Sequence, residues 1–472
     1  MFKLRPYQQA CVDDIARYID SKDTRPGLVI APVAGGKSIL LAEAARLLGE
    51  GTLVLQPSKE LLEQNIGKLR SLGGEATVFS ASCKSKVLSG MTYATIGSVK
   101  KVVGELRSMG IRNLLLDECH AGYSPEPDSE FMRFVTALKP SKIIGFTATP
   151  CRLSSVAIDR ESHAVLKFLT RMRPGFFKSV IHTVQVSDML REGFWSPLST
   201  ERWIFDGSKL TLNSNGSEYT EESVREAVEQ NGVNNLILKR IMMLENRKSI
   251  LVFMDSVENC NTAADWINKK GNLGKAASVH GGLSKRQRDV IVEGFKSGDI
   301  RIVFNHSVLL TGFDHPELDA VIFGRPTFSF PVFYQSIGRG LRISPKKKDC
   351  LFIDCCDNSS RFGDIRSMEI KDIPGFGWGI VVGDRVITNF PMEETVMVDE
   401  IEKVKIESKL PPAERRKPGR PDIPEGEYRI NFGMYKGYKL KALPNSYLSF
   451  LKEKGMAERN KNINDYVNLI RI

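Results

Sequence analysis

Short apolar runs alternate with amphipathic segments along most of the chain. Examples of these runs are Thr52–Leu55, Lys142–Phe146, Ile250–Phe253, Ile300–Phe304 and Ala320–Phe323. Strands that are apolar at consecutive positions, and that are separated by helices, indicate a parallel sheet covered on both faces. The pattern therefore predicts an α/β fold.

A polar, turn-rich stretch at Asn213–Ser217 divides the apolar runs into two sets. We predict a first lobe over residues 1–200 and a second lobe over residues 201–370. A loop-rich, basic and proline-containing linker is expected over residues 371–421, followed by a small basic module over residues 422–472. At about 150 residues per domain, a chain of 472 residues fits about three domains.

A glycine-rich loop follows the apolar strand Leu28–Ile30. Gly35 and Gly36 allow consecutive backbone N–H groups to face phosphate oxygens, because neither residue carries a Cβ. Lys37 places a positive charge near the β- and γ-phosphates of a nucleotide, and Ser38 offers a hydroxyl to Mg²⁺. The helix that follows presents its positive end to the same anion. The loop therefore has the composition of a phosphate cradle.

The apolar strand Asn113–Leu116 ends in two adjacent carboxylates, Asp117 and Glu118. In a nucleotide site, Asp117 would hold Mg²⁺ directly or through water, and Glu118 would orient and deprotonate the attacking water. Because the cradle and the carboxylate pair occur in this order, they predict a site for ATP and Mg²⁺. The alternative is a Gly-rich turn and a charged strand end without catalysis.

The chain resembles the superfamily 2 helicases and translocases of the DEAD/DEAH type, with Asp117–His120 reading as a DECH box. The resemblance covers roughly residues 2–355 and includes further segments in the family's order. They are Leu4–Gln8, Pro57–Leu61, Tyr93–Ser98, Thr147–Pro150, His280–Gly282, Leu310–Asp314 and Gln335–Arg342. It implies two RecA-like lobes of the P-loop NTPase fold, with ATP between them and nucleic acid crossing both.

The resemblance also implies roles for individual residues. The nucleotide would contact Arg5, Gln8, Val33, Ala34, Gly35, Gly36, Lys37, Ser38, Gly312 and Asp314, with Gln8 reading adenine. Nucleic acid would contact Pro57, Ser58, Lys59, Thr95, Gly97, Ser98, His280, Gly281 and Thr311. The residues that would couple hydrolysis to movement are His120, Thr147 and Thr149.

The cradle departs from the family's usual sequence at two positions. The family usually has Thr and Gly where this chain has Val33 and Ala34. An alanine adopts most loop conformations, and Lys37 and Ser38 are retained. We therefore still expect this loop to support hydrolysis.

Arginines from the second lobe are expected to complete the catalytic site. Gln335, Arg339 and Arg342 are spaced at i, i+4 and i+7, which places them on one face of a helix. Supplied across a closing cleft, the two arginines would neutralise charge on the γ-phosphate. The alternative is that this face pairs with surface carboxylates.

Residues 151–197, between the lobes, combine aromatic and basic side chains. Phe176 and Phe177 lie among arginines and lysines, and Pro174–Gly175 is a turn signal. One interpretation is a protruding hairpin whose rings stack on bases. The other is that the two rings belong to the core and the charges to a solvated edge.

Composition narrows the class of partner. The net charge is +11 with a pI near 9.1, and a basic excess suits a polyanionic partner. Residues 401–472 hold 16 Lys and Arg against 9 Asp and Glu, so +7 of this charge lies in the tail. Within the tail, Pro418–Pro421 is either an arm for the DNA minor groove or an ordinary linker. Residues 432–448 resemble a short domain appended to some bacterial and phage exonucleases.

The eight cysteines form no Cys-x-x-Cys pair, so we expect free thiols in a reducing compartment. The sequence contains neither a signal-like segment nor an apolar stretch of membrane-spanning length. These features favour the cytoplasm of a bacterium or of a phage-infected host, and no membrane partner.

The leading hypothesis is an ATP-dependent DNA helicase or translocase. It would act, as a monomer, on single-stranded, forked or branched DNA, with single-strand-binding or replication and recombination proteins as further partners. In this respect it most resembles the phage fork-remodelling helicases of the UvsW type. The alternatives are an RNA helicase, a translocase subunit of a restriction system, and a non-catalytic nucleic-acid binding module.

Overall fold

The computed structural model describes residues 3–158, 161–214, 216–309, 313–390, 392, 396–398, 428–430, 435, 438–454 and 461–469. The chain divides into two compact units. The first comprises residues 1–152, 168–214 and 218–369, and the second comprises residues 153–167, 215–217 and 370–472. The first unit contains most of both predicted lobes, but residues 153–167 of the first predicted lobe belong to the second unit.

The first lobe is built on a sheet with the strand order β10-β1-β7-β6-β2-β5-β3-β4. The strands up to residue 190 are β1 (Gly27–Ile30), β2 (Thr52–Leu55), β3 (Thr77–Ser80), β4 (Ser85–Lys86), β5 (Met91–Ala94), β6 (Asn113–Leu116), β7 (Lys142–Thr147), β8 (Cys151–Ile158), β9 (Glu161–Phe168) and β10 (Ser179–Thr183). Within this sheet only the β3–β4 pair is antiparallel, and β8 and β9 form a separate hairpin.

Helices connect these strands, as parallel pairing requires. They are α1 (Pro6–Asp20), α2 (Lys37–Leu48), α3 (Lys59–Ser71), α4 (Ile96–Val99), α5 (Val103–Ser108), α6 (Glu130–Leu138) and α7 (Val186–Arg191). The amphipathic pattern is clear in α2, which buries Leu40, Leu41 and Ala44. Helix α3 begins at a serine cap, because the Ser58 side chain accepts a hydrogen bond from the backbone N–H of Leu61.

The strand order brings three chemically important loops together. The glycine-rich loop follows β1, Asp117 follows β6, and Thr147 ends β7. These strands are neighbours in the order β1-β7-β6, and they are parallel. Because the carboxyl ends of parallel strands share one edge, all three loops meet there.

The second lobe has a fully parallel sheet with the order β11-β16-β15-β12-β14-β13. Its strands are β11 (Leu198–Arg202), β12 (Ile250–Phe253), β13 (Ala276–His280), β14 (Ile302–His306), β15 (Ala320–Phe323) and β16 (Cys350–Asp354). Its helices are α8 (Glu221–Gln230), α9 (Val233–Met242), α10 (Val257–Lys270), α11 (Lys285–Ser297), α12 (Phe330–Gly338) and α13 (Asn358–Phe362). The predicted α/β fold with two RecA-like lobes is confirmed, although β11 starts the second lobe just before the predicted boundary at residue 201.

The C-terminal region differs from the prediction. The expected linker over 371–421 contains β17 (Met368–Ile373), β18 (Gly377–Val382), β19 (Arg385–Val386) and β20 (Val396–Met397), which form a four-stranded sheet. Helices α14 (Asn445–Glu453) and α15 (Lys461–Leu469) follow. Ile373 and Val381 of the sheet share one hydrophobic core with Leu448 and Val467 of the helices, so the last residues are not a separate module.

The strands of this sheet are short, and β19 and β20 have two residues each. Such strands are too short to show a period in the sequence, which explains why the linker prediction missed the strands up to residue 397. The β8–β9 hairpin belongs to the same unit, since the backbone N–H of Asn389 donates to the carbonyl of Leu166 at 2.7 Å. Residues 411–421, including the Pro418–Pro421 motif, lie outside the described residues.

Phe177 belongs to the core of the first lobe, and the partly buried Phe176 packs against it. The Phe177 side chain is 4% exposed, and a Cβ placed on Gly145 would lie 2.5 Å from its Cζ. The Phe176 ring packs edge-on against Phe131 and Phe177, at centroid distances of 5.1 Å. The prediction that Phe177 stacks on bases is therefore wrong, and the hairpin of this region is β8–β9 rather than a turn at Pro174.

The eight cysteines are free thiols, as predicted. Seven of them are buried, and Cys83 is partly exposed. No helix in the described part of the chain is long and apolar enough to cross a membrane.

Truncating Phe177 tests the core role of its ring. Phe177→Ala should lower the free energy of unfolding by about 3–5 kcal/mol, because the substitution leaves a cavity beside Gly145 and Cys119. Thermal denaturation measures the loss, with Met243→Ala, at a side chain 73% exposed, as a neutral control. An unchanged melting temperature for Phe177→Ala would show that the ring is not part of the core.

Candidate nucleotide site

A cavity of about 410 Å³ lies at the carboxyl edge of the first sheet and is closed on its other side by the second lobe. It brings together most of the predicted nucleotide-binding and catalytic residues. They are Arg5, Val33, Ala34, Gly35, Gly36, Lys37, Ser38, Asp117, Glu118, Asp314, Gln335, Arg339 and Arg342. The predicted contacts Thr311 and Gly312 lie outside the described residues.

The cradle is a tight turn that leads directly into α2. The backbone N–H of Gly35 donates to the carbonyl of Pro32 at 2.9 Å. Gly36 precedes α2 with a φ of 77°, in the left-handed region that favours glycine. Ala34 also has a left-handed φ, of 57°, where the family usually has glycine. The departure at Ala34 therefore leaves the left-handed bend in place.

A buried charge cluster lies below the cradle. The Nζ of Lys37 is 2.9 Å from Oδ1 of Asp117, and it also pairs with Oε1 of Glu118. Burial opposes the charged form of Lys37, but attraction to the two carboxylates outweighs it and raises the pKa of this lysine. Burial likewise opposes the charge on Glu118, yet Lys37 lowers the pKa of its carboxyl overall. At Asp117, burial outweighs the attraction of Lys37 and raises the pKa of the carboxyl. The charges of Lys37 and Glu118 therefore support one another.

The predicted coupling residues form one hydrogen-bonded chain. His120 Nδ1 lies 2.9 Å from the hydroxyl of Thr147, which also accepts the backbone N–H of Thr149 at 2.9 Å. The same imidazole nitrogen is 3.3 Å from Oε2 of Glu118. Burial lowers the pKa of His120 to about 4, so the ring is neutral near pH 7. Glu118 thus lies beside a neutral histidine that is hydrogen-bonded to the end of β7.

The arginine segment reaches the cavity in a different way from the prediction. Helix α12 ends at Gly338, so Arg339 caps it and Arg342 lies beyond it rather than on its face. Arg342 Nε pairs with Oδ1 of Asp314 at 2.8 Å, and Arg339 Nη1 donates to the carbonyl of Phe313 at 2.6 Å. Burial lowers the pKa of Arg339 to about 9. A turn after α12, which spacing alone does not reveal, aims both arginines into the cavity.

Close packing joins α12 to the cradle. A Cβ placed on Gly338 would lie 2.5 Å from the Cβ of Val33, so only glycine allows this approach. Val33, which replaces the family's usual threonine, is thus the cradle residue that contacts the second lobe. Valine in place of threonine therefore makes the contact with Gly338 an apolar one.

Gln8 stands behind the cradle instead of lining the cavity. Its side chain is 2% exposed and its Oε1 accepts the backbone N–H of Arg5 at 3.0 Å. Arg5 does face the cavity, with its guanidinium 4.5 Å from the ring centre of Phe194. Adenine reading by Gln8 remains a prediction, and Arg5 and Phe194 are the groups that this arrangement exposes to a base.

Several residues of the site have no motif in the sequence. Asn65 Nδ2 donates to Oδ2 of Asp117 at 2.7 Å from the buried face of α3. Arg152 Nη2 donates to the carbonyls of Cys119 and Tyr123, at 2.9 and 2.7 Å, and so fixes the loop after Glu118. Asn65 is polar at a buried helix position, which is the only sequence signal that could have indicated it.

Two aromatic side chains hold the cradle from outside. Trp195 Nε1 donates to the carbonyl of Val33 at 2.8 Å, and the Tyr7 hydroxyl donates to the carbonyl of Gly35 at 3.0 Å. Tyr7 lies beside Gln8 in the predicted adenine-reading segment, so the sequence did indicate that it is near the nucleotide site. Trp195 lies far from every motif in the sequence.

The predicted nucleic-acid contacts follow strands at the carboxyl edges of the two sheets. Pro57, Ser58 and Lys59 follow β2, and Thr95, Gly97 and Ser98 follow the neighbouring strand β5. His280 ends β13 of the second sheet, with Gly281 after it. The hydroxyls of Thr95 and Ser98 are 3.0 Å apart and Ser58 caps α3, so these groups also have local structural roles. Their contact with nucleic acid stays a prediction.

Two family models match the chain in the order expected from its lobes. Residues 1–152 match "Type III restriction enzyme, res subunit", and residues 233–344 match "Helicase conserved C-terminal domain". Together they cover more than half of the chain and contain the cradle, the carboxylate pair and the arginine segment. The chain belongs to the superfamily 2 helicases. The superfamily 2 core thus comprises both lobes of the first unit.

The chain is also similar to individual proteins over part of its length and of theirs. The chain is 27% identical over 375 residues to a putative mitochondrial ATP-dependent helicase irc3 of Schizosaccharomyces pombe, covering 76% of this chain and 58% of that protein. It is 24% identical to a 51.5 kDa protein of a Lactococcus phage, covering 68% and 63%. It spans little more than half the length of these relatives. Among solved structures, a fragment of a putative HsdR subunit from Vibrio vulnificus matches with a TM-score of 0.57 at 17% identity, covering 76% and 65%.

Adding a Cβ at Gly338 tests the contact between α12 and the cradle. Gly338→Ala should displace α12, and with it Arg339, because its new Cβ meets the Cβ of Val33. A displacement of about 1 Å at a catalytic group lowers turnover by roughly 10². Steady-state ATP hydrolysis measures this, with Gly67→Ala as the matched control because a Cβ there meets nothing within 4 Å. Equal rates for the two variants would contradict the proposed packing constraint.

Proposed function

We propose that the protein hydrolyses ATP with Mg²⁺ and uses the hydrolysis to move along DNA. The observation that carries the proposal is the composition of one cavity. It contains a phosphate cradle and a carboxylate pair from the first lobe, and two partly buried arginines from the second. Phosphoryl transfer needs these three parts in place at once, and little else from the protein.

The donor set fits Mg²⁺ together with a nucleotide. A serine hydroxyl and a carboxylate are hard oxygen ligands, and Mg²⁺ is commonly held by one or two such groups plus phosphate oxygens. Ser38 and Asp117 would therefore hold the ion, which would neutralise phosphate charge when bound. Asn65 would keep the Asp117 carboxylate oriented through its 2.7 Å hydrogen bond.

The ion pairs of Lys37 suggest an order for the steps of ATP binding and hydrolysis. Lys37 is bound to Asp117 and Glu118, and an entering triphosphate competes for the same Nζ. When Lys37 turns to the phosphates, the Glu118 carboxylate becomes free to accept a proton from water. Arg339 and Arg342 would then stabilise the negative charge that develops on the γ-phosphate. Glu118 is linked to β7 through His120 and Thr147, a route by which hydrolysis would reach the first-lobe loops that grip the strand.

DNA is the proposed track. The net charge of +11 suits a nucleic acid, and the loops after β2, β5 and β13 lie at carboxyl edges of their sheets. The resemblance to phage fork-remodelling helicases favours forked or branched DNA. The match of residues 1–152 to a restriction-enzyme family favours a second candidate, a translocase that moves on duplex DNA without separating it.

Nucleic-acid-stimulated ATPase tests the proposal. Hydrolysis should be stimulated more strongly by forked and four-way-junction DNA than by plain duplex or RNA of equal length. Glu118→Gln should bind ATP within about threefold of wild type and lose turnover by about 10²–10⁴, because an amide cannot accept the proton of water. Glu126→Gln, at an exposed residue of the same segment, is the matched control.

The outcomes separate the candidates. Greatest stimulation by RNA would replace DNA with RNA as the track. Displacement of a triplex-forming strand from duplex DNA without duplex unwinding would favour the restriction-type translocase. Wild-type turnover by Glu118→Gln would remove the basis for the proposed hydrolysis.

A further inference from the structure

The orientation of two cradle peptides is set by side chains outside the cradle. Trp195 Nε1 donates to the Val33 carbonyl, and the Tyr7 hydroxyl donates to the Gly35 carbonyl. The Trp195 residue is 2% exposed, so its hydrogen bond is protected from competing water. It lies in the segment between the lobes, 162 residues from the carbonyl that it binds.

These two bonds determine where the cradle's donors point. A trans peptide is planar, so its N–H points away from its carbonyl. With the Val33 carbonyl held by Trp195, the N–H of Ala34 faces the opposite direction. The same holds for Gly36 when Tyr7 holds the carbonyl of Gly35. Inward-facing backbone N–H groups are what a phosphate cradle offers to its anion.

Ala34 makes the first of these peptides vulnerable. Its φ of 57° is disfavoured for a residue with a Cβ. Rotating the Val33–Ala34 peptide by half a turn would return this φ to the negative range and relieve the strain. The same rotation would turn the Val33 carbonyl, instead of the Ala34 N–H, towards the phosphates. With glycine at position 34 this φ would carry no strain, so rotating the peptide would relieve none.

We propose that Trp195 is a positioning residue for the phosphate cradle, and that it holds the strained Val33–Ala34 peptide in its nucleotide-binding orientation. The inference builds on the proposed function, since it assumes that the cradle binds a nucleoside phosphate. Trp195 thereby compensates for alanine at a position where the family usually has glycine. Tyr7 performs the corresponding task at Gly35, where no strain opposes it.

Nucleotide affinity tests the proposal without DNA or turnover. Binding of fluorescent N-methylanthraniloyl-ADP with Mg²⁺ is measured for wild type and for Trp195→Phe, which keeps an aromatic ring but removes the N–H. A cradle that is competent for only a fraction of the time binds more weakly by that fraction. One lost hydrogen bond plus the released strain predicts about tenfold weaker binding. Trp203→Phe is the matched control, because its Nε1 donates to Glu201 in the second lobe, at 2.8 Å.

Replacing the strained residue supplies the decisive comparison. In an Ala34→Gly background the peptide has no strain to release, so adding Trp195→Phe should weaken binding by about threefold or less. A tenfold loss in both backgrounds, or no loss in either, would overturn the proposal. Failure of the wild-type protein to bind the nucleotide would instead count against the proposed function.

A second variant is used if Trp195→Phe does not fold. If thermal denaturation shows that Trp195→Phe is unfolded, Tyr7→Phe takes its place, since it removes a single hydroxyl. Its expected effect is about threefold weaker binding, in both the native and the Ala34→Gly backgrounds, because Gly35 carries no strain. Unchanged binding by Tyr7→Phe would show that the held carbonyls do not orient the cradle.

Discussion

Lys37 and Glu118 keep their charges in a largely buried site because they lie together, and the rest of the cavity depends on the cluster that they form with Asp117. Each charge alone would be strongly disfavoured by burial. The two carboxylates outnumber the lysine, so the cluster has an unmet demand for positive charge. Asn65 and the backbone N–H of Glu118 supply two donors to Asp117, and Arg339 contributes at longer range. A nucleotide with Mg²⁺ would bring a cation to Asp117, while Lys37 and the two arginines would balance the charge of the phosphates.

The segment between the lobes contacts the groups that surround this cluster. Phe194 lies against Arg5, Trp195 holds the cradle, and the backbone N–H of Ser196 donates to the carbonyl of Leu341 at 2.8 Å. Three consecutive residues therefore contact the cavity-lining Arg5, the glycine-rich loop and the arginine segment. Because the segment contacts elements of both lobes, a rotation of one lobe against the other would change these contacts.

The sequence was sufficient where local pattern determines structure. Apolar runs located the strands, and Lys37 and Asp117 could be placed because parallel strands end at one edge. It was insufficient where tertiary packing decides. The sequence suggests that Phe177 stacks on bases, but its ring fills the space that Gly145 leaves. The spacing of Arg342 predicts a position on a helix, but α12 ends before it. Trp195 is a single residue without a pattern, and β19 and β20 are too short to show one.

The central claim is that the two lobes form one catalytic site, and single-turnover hydrolysis of bound ATP by an Arg339→Ala/Arg342→Ala double variant tests it most directly. Removing transition-state arginines lowers turnover by about 10³–10⁵ in phosphoryl-transfer enzymes. We expect a loss of this order, with ATP affinity changed by less than about tenfold. Arg202→Ala, at a side chain of the second lobe that is 57% exposed, should hydrolyse ATP as wild type does. A double variant that turns over bound ATP at the wild-type rate would contradict the shared site.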